Sequence, residues 1–262
     1  MGGFNGYKVV AHRNLDELNK ELNTVMLRRK KEEVLDLPPK IYTTEYIELT
    51  RKQRILYKEI RQGIVDNLEN ILEIPNPLSC TVRLRQLTGG VFGDDNPKLE
   101  RVKDMLEEIT ESGHKALIFS QWEQVTSVYK EALKAYNPAY IVGAVDPEDR
   151  QKEVDRFQND PTCKVAIGTI GAMGTGLTMT AASYVFFVDK RYWDAENKQA
   201  EDRAHRIGTT NTVNVVSLVA TNTVDEGIEE MLRDNKALFD RVVEGKGSRI
   251  DVGEILRKIL QY

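Results

Sequence analysis

Apolar residues recur along this chain at two different periods, and the change near Pro97 divides it. Before that point the spacing is mostly helical. Leu15, Leu18, Leu22 and Met26 follow one helix face and end in the charged run RRKKEE. The adjacent prolines of LDLPPK, Pro38 and Pro39, stop that helix, and IYTTEYIEL has the alternation and β-branched or aromatic content of a strand. A helix is predicted from Arg51 to Leu72, a break at EIPNPLS, and a further helical segment as far as Val91.

From Pro97 onward, amphipathic helices alternate with short, wholly apolar runs. Leu99, Val102, Leu106 and Ile109 form a helix face before the buried-strand run KALIFS, and Val125, Val128, Tyr129 and Leu133 form the next face. AYIVG, KVAIGT, YVFFVD and VNVVSLVA follow, separated by stretches of crossover length, and a last helix is predicted from about Val224 to Phe239. Apolar strands joined by helical crossovers are the pattern of parallel βαβ units, so the fold class is α/β. Ligands of such open sheets are expected outside the carboxyl ends of the strands, here Ser120, Thr169, Asp189 and Ala220. The expected organisation is a mainly helical segment over 1–96, the α/β domain over 97–240 and a tail over 241–262.

Composition narrows the class. With 262 residues, 40% hydrophobic and 30% charged, the chain is expected to be a soluble globular protein with a substantial core. No apolar run reaches the roughly 18 residues of a membrane span and no signal peptide opens the chain, so no membrane partner and a cytoplasmic location, or a nuclear one in a eukaryote, are expected. Cys80 and Cys163 lie far apart, and His12, His114 and His205 show no ligand spacing, which argues against a metal site or a disulfide framework. The net charge of −4 is unevenly placed: residues 1–61 hold 13 Lys/Arg against 9 Asp/Glu. That basic front fits either a solvated helical surface or a nucleic-acid footprint.

Two segments carry candidate chemistry. In GTIGAMGTGLT, Gly171 to Thr178 has the glycine and threonine spacing of a phosphate loop, but Leu177 stands where the lysine must be. Without that amine nothing reaches the β and γ phosphates, and the α/β region has no acidic pair closing an apolar strand to hold magnesium. A self-sufficient ATPase is therefore not expected. The loop's backbone N–H groups either hold a nucleic-acid phosphate or its glycines only permit a tight turn. In QAEDRAHRIG, helical geometry puts Gln199, Asp202, Arg203 and Arg206 on one stripe and Ala200, Ala204 and Ile207 on another, so the small residues are expected to lie on the sheet and the arginines outward. Taken alone, that stripe also fits a solvated face in which Glu201 and Asp202 pair with the arginines.

The blocks LRRKKEEVLDLPPK, KALIFSQW, GTGLTMTAASYVFFVD and QAEDRAHRIG, in this order and spacing, resemble the C-terminal half of the helicase-like ATPase core of the Swi/Snf-type family, over roughly residues 14–235. The resemblance implies a RecA-like lobe, a parallel sheet flanked by helices, with an N-terminal mainly helical extension. It further implies that ATP and Mg2+ are held mainly by a first RecA-like lobe not contained in this chain, and that the two lobes translocate on double-stranded DNA. Arg203 and Arg206 match the arginines that reach the γ-phosphate across the cleft, with Arg206 the direct finger, and Gln199 matches the orienting glutamine. Gly174, Gly176 and Asp189 match the ATP-site and lobe-interface blocks. Ser120, Gln121 and Thr169 match positions along the DNA path, while Arg28, Arg29, Lys30 and Lys31 either touch DNA phosphates or anchor the front segment. Several positions depart from the pattern: Thr169 and Ile170 replace Ser-Thr, Met173 a glycine, Thr178 an asparagine, RYWDA the Trp-Asn-Pro block, and Thr209 a glutamine. A lobe of this kind that has lost catalysis would be a DNA- or protein-docking module instead.

Overall fold

The computed structural model describes residues 14–25, 35–62, 77–174 and 176–244. Six strands form one all-parallel sheet in the order β1-β6-β5-β2-β4-β3. These are β1 (Lys40–Ile47), β2 (Lys115–Ser120), β3 (Ala139–Ile141), β4 (Val165–Thr169), β5 (Ala182–Phe187) and β6 (Val213–Ala220). The five runs expected after Pro97 are all strands. The strand expected in the front segment is the sixth: β1 lies parallel on β6, with Lys40 opposite Val213 and Ile47 opposite Ala220.

The helices, in chain order, are α1 (Leu15–Val25), α2 (Arg51–Arg61), α3 (Pro77–Thr88), α4 (Pro97–Glu111), α5 (Glu123–Ala132), α6 (Pro147–Asn159), the single turn α7 (Ile170–Met173), α8 (Asp194–Glu201) and α9 (Val224–Glu244). Two of these starts follow directly from capping chemistry. Thr50 Oγ1 accepts from the N–H of Gln53 at 3.2 Å to open α2, and Asn96 Oδ1 accepts from Leu99 at 3.1 Å to open α4, with Pro97 in the first turn. Of the helix expected over Arg51–Leu72, α2 covers the first eleven residues, and 63–76 lie outside the described residues.

Both faces of the sheet are covered, which is why its central strands read as unbroken apolar runs. Leu99, Val102, Leu106 and Ile109 of α4, Val125 and Tyr129 of α5, and Leu133 just after it pack on one face with Ala116, Ile118, Val165, Ile167 and Phe186. The other face, Leu117, Phe119, Ala166, Val185 and Phe187, is covered by Val154 and Phe157 of α6, Ile170 and Met173 of α7, and Ala200 and Ala204. A third cluster joins α2 and α3 to the far end of β6: Tyr57, Ile60, Leu84 and Leu87 pack with Ala220 and Val224. Among the described residues no helix is long and apolar enough to cross a membrane.

One expectation is corrected. QAEDRAHRIG is not a continuous helix. The last α-type bond runs from Asp202 N–H to Lys198 at 3.0 Å; then Arg203 and Ala204 donate to the carbonyls of Ala200 and Glu201, three residues back, at 3.1 Å. The chain tightens into turns and passes Gly208 at φ +101°. The expected stripes consequently separate: Gln199 and Arg206 are exposed and Ala200 and Ala204 are buried as expected, but Arg203 turns inward and Ile207 is 76% exposed. Tertiary contacts to Arg203, Glu201 and Asp202 outweigh the propensity of the segment to continue as a helix.

Candidate functional site

Two groups of candidate residues lie at opposite edges of the sheet. Ser120, Gln121 and Asp189 sit where β2 and β5 finish. β6 runs in the same direction and, at about 3.3 Å per residue, its eight residues span roughly 25 Å. The loop after α8 lies at the other edge, beside the strand starts, because α8 returns antiparallel to the sheet: Glu201 and Asp202 meet Lys40, the first residue of β1. Of the groups expected at the carboxyl ends, Ser120, Gln121 and Asp189 are placed there, with Ser120 and Asp189 buried, whereas the arginines lie at the opposite edge, which corrects the expectation for them. That rule describes a ligand seated in a sheet's own crevice, and it does not constrain a side chain that reaches toward a ligand held by a separate lobe.

The arginine loop is built around three side chains. Arg203 is 7% exposed. Its Nη2 donates to the carbonyl of Gly174 at 2.5 Å and its Nη1 to that of Leu177 at 3.2 Å, while its own carbonyl accepts from Met179 N–H at 2.9 Å. Burial lowers its pKa below the usual arginine value and the neighbouring Arg206 lowers it further. Arg203 thus clamps the glycine loop to the loop after α8. Arg206 is exposed; its Nη1 donates to Thr178 Oγ1 at 3.0 Å, and no ion pair holds it among the described residues. Its backbone is fixed through Thr209, whose Oγ1 accepts from Arg206 N–H at 3.0 Å and donates to the carbonyl of Ala204 at 2.7 Å. A guanidinium on a fixed turn with free donors can bind phosphate oxygens in a planar fork.

The acidic residues beside the arginines form ion pairs with Lys40. Lys40 Nζ donates to Glu201 Oε1 at 2.8 Å and Asp202 Oδ1 at 2.7 Å, and Tyr42 Oη donates to Glu201 Oε1 at 2.8 Å. Burial opposes the charge on Lys40, but the two carboxylates outweigh it and raise its pKa above the usual lysine value. A folded-state pKa raised in this way gives stability that is present below the unfolded value and lost as pH rises through the folded one. The stability difference between the protein and Lys40→Met is thus expected to stay constant from about pH 7 to about pH 9 and to vanish above the lysine range, as urea unfolding at stepped pH will show.

The glycine loop has steric reasons for its glycines. Gly176 has φ +74°, and a Cβ on Gly174 would collide with the carbonyl oxygen of Ile170. Thr169 caps α7, its Oγ1 accepting from Ala172 N–H at 3.3 Å. Gly174 is buried, with its carbonyl occupied by Arg203, whereas Gly176 is exposed.

At the strand-end edge, Asp189 is the hub. It is 6% exposed, takes a very short hydrogen bond from Ser120 Oγ, accepts from Gln121 N–H at 2.9 Å and lies 3.5 Å from Arg85 Nη2. Burial pushes its pKa above the usual carboxylate range, against the pull of Arg85, Ser120 and Gln121. Asp189 therefore organises the turn of Ser120 and Gln121 from inside rather than facing solvent. Arg85 was not anticipated from the sequence. It is fully buried, donates to Gln121 Oε1 at 3.1 Å and to the carbonyl of Lys190, and lies over the Tyr192 ring at 4.8 Å. Beside it Lys98, 1% exposed, donates to Asp225 Oδ2 and to the carbonyl of Val188, both at 2.6 Å. The available signal was periodicity: Thr81, Leu84, Arg85 and Thr88 share the buried face of α3. Arg28, Arg29, Lys30 and Lys31 lie outside the described residues. Among the described residues no group of three or more His, Cys, Asp or Glu has the arrangement of a metal site.

Residues 97–208 match the family model of the helicase conserved C-terminal domain. A "DNA annealing helicase and endonuclease ZRANB3" of Mus musculus is 33% identical over 253 residues, covering 92% of this chain and 22% of that protein. A "Putative ATP-dependent helicase/translocase YwqA" of Bacillus subtilis is 28% identical, over 89% of this chain and 27% of its own length. This chain thus spans about a fifth to a quarter of the length of these curated relatives. Among solved structures, the Sulfolobus solfataricus SWI2/SNF2 ATPase core in complex with dsDNA superposes with a TM-score of 0.62 at 28% identity, over 88% of this chain and 52% of that one. The C-terminal part of the Fun30 ATPase domain, 18% identical, shares the fold with a TM-score of 0.66 over 80% of this chain and 98% of that one.

Proposed function

This chain belongs to the Swi/Snf-type family of ATP-dependent, helicase-like proteins, whose RecA-like C-terminal helicase lobe it carries, and from that premise we propose that it is the second motor lobe of a DNA-dependent ATPase. In this reading a first RecA-like lobe binds ATP and Mg2+, and Arg206 crosses the cleft to the γ-phosphate. Arg203 does not reach the nucleotide itself; it fixes the glycine loop to the arginine loop, so that movement at one is felt at the other. Gln199, exposed one turn before, is a polar contact at the lobe interface. Gly176 belongs to the same interface, whereas Asp189 supports the strand-end edge.

The observation that carries this reading is the contrast between the two arginines. One is spent on carbonyls inside the lobe, and the other stands exposed on a braced turn. Ser120 and Gln121, at the opposite edge and held by Asp189, border the proposed track for double-stranded DNA. Thr169, Arg28, Arg29 and Lys30 remain candidate contributors to that track. Separating the two edges suits a motor in which ATP and DNA act on different sides of one lobe.

The lobe alone is expected to hydrolyse no ATP, since it lacks a phosphate-loop lysine and a magnesium-binding acidic pair. Turnover is expected when the first lobe is joined to it and duplex DNA is added. Steady-state phosphate release by the chain with and without that lobe tests this. Turnover by the chain alone would overturn the division of labour, and absence of turnover in the joined, folded protein would favour a catalytically silent docking module.

A further inference from the structure

We infer that Lys40, assisted by Tyr42, is a positioning residue for the Arg206 guanidinium, holding the loop after α8 where that arginine can reach its target. The inference rests on the reading of Arg206 as a finger. Residues 38–42 grip residues 201–213 at three separate points. Lys40 and Tyr42 hold Glu201 and Asp202 at 2.7–2.8 Å; the ring Nε2 of His205 lies 2.7 Å from the carbonyl oxygen of Pro38; and Val213 N–H donates to the carbonyl of Pro39 at 3.1 Å. The Thr209 contacts set the shape of the turn, but they are internal to it and do not fix where it stands relative to the sheet. Its placement comes from anchors that precede Arg206, the Arg203 clamp on the glycine loop, the Lys40 pair on the sheet edge and the His205 contact to Pro38, and from the Val213 bond to Pro39 that follows it.

The charges give Lys40 a specific task. Glu201 and Asp202 are adjacent carboxylates at the point where α8 gives way to turns, and like charges that close repel. One ammonium bridging both stabilises the tight geometry of this turn, four residues before Arg206. With a neutral side chain at position 40 the carboxylates separate and the turn relaxes. Misplacement of a reacting group by about 1 Å costs up to about a hundredfold in rate. Because the displaced group acts in the transition state, the loss should fall on turnover rather than on ATP binding.

The test is steady-state kinetics of the protein joined to its first lobe, at saturating duplex DNA, for Lys40→Met, Lys40→Arg and Tyr42→Phe beside Arg206→Ala. Lys40→Met is expected to lower kcat at least about tenfold with KM for ATP changed less than about twofold, and Lys40→Arg to regain most of the loss. A kcat for Lys40→Met close to the parent's, a parallel rise in KM, or no recovery in Lys40→Arg overturns the inference. If Lys40→Met does not fold, Tyr42→Phe decides, since it removes one hydroxyl and no charge: a fall of about two- to threefold in kcat alone supports the inference, and an unchanged kcat overturns it. Failure of the finger reading is distinct, because it shows as unchanged turnover in Arg206→Ala itself.

Discussion

In the protein joined to its first lobe, Arg206→Ala is expected to lower kcat by about a thousandfold or more while leaving ATP affinity within about threefold of the parent's. The split follows from where charge develops. The γ-phosphoryl oxygens carry much of the transition-state charge, and a guanidinium aimed at them stabilises that state more than the bound ground state. The substitution should cost little stability, because Arg206 is exposed and its side chain makes one hydrogen bond, to Thr178, among the described residues. A fall in rate can therefore be assigned to chemistry rather than to unfolding. Arg203→Ala should behave in the opposite way. It leaves the carbonyls of Gly174 and Leu177 without their donors in a buried setting, so loss of stability and disorder of the glycine loop should precede any effect on catalysis. Single-turnover hydrolysis and an ATP-binding titration on the folded variants separate the two. Unchanged turnover in Arg206→Ala removes that residue from the mechanism.

The central strands were legible because burial on both faces makes them apolar runs, as KALIFS is in β2, and the edge strand β1 by its alternation instead. What the run could not reveal was adjacency. IYTTEYIEL reads as a strand, but its partner is β6, more than 160 residues later, and register between distant parallel strands leaves no local trace. The same limit governs the arginines. Their types and spacing marked the segment, and its resemblance to helicase lobes implied the role proposed above. Which of the two is free depends on contacts to Gly174 and Leu177, which only the folded chain brings near. The stripe of exposed arginines assumed that a helix continues to Gly208. Lys40 and the glycine loop end it at Glu201, so position 203 faces the core and position 206 faces solvent.

Buried charge was the least legible feature. Arg85 and Lys98 look, as letters, like ordinary surface cations, since such side chains are almost never fully buried unless paired. Their partners, Asp189 and Asp225, are 104 and 127 residues away. Both cations close the same end of the sheet: Arg85 binds the front helix α3 to it, and Lys98 does the same for the first turn of α4. The front segment is therefore joined to the strand-end edge by the Arg85 ion pair and to the strand-start edge by β1 and Lys40. Each of the two proposed working edges has an anchor from residues before Pro97.

Arg85→Met should destabilise the protein by about 3–5 kcal/mol, the cost of leaving one member of a buried ion pair uncompensated. Methionine can fill much of the space between Trp122 and Tyr192, so little of the loss should come from a cavity. The carboxylate of Asp189 still receives Ser120 Oγ and Gln121 N–H, but it no longer has a cation at 3.5 Å. Burial already holds its pKa above the usual range. Without Arg85 the folded-state pKa rises further, and a group whose pKa is raised on folding adds stability as pH falls through that value. The gap between parent and variant in urea unfolding should therefore be widest near neutral pH and narrow toward acid. Arg85→Met combined with Asp189→Leu should recover part of the loss, with a favourable coupling between the two positions. Recovery should stop short of the parent, because Ser120 Oγ and Gln121 N–H then lose their acceptor in a buried site. If Arg85→Met instead costs less than about 1 kcal/mol, Arg85 does not hold α3 to the sheet, and the packing of Leu84 and Leu87 alone must do so.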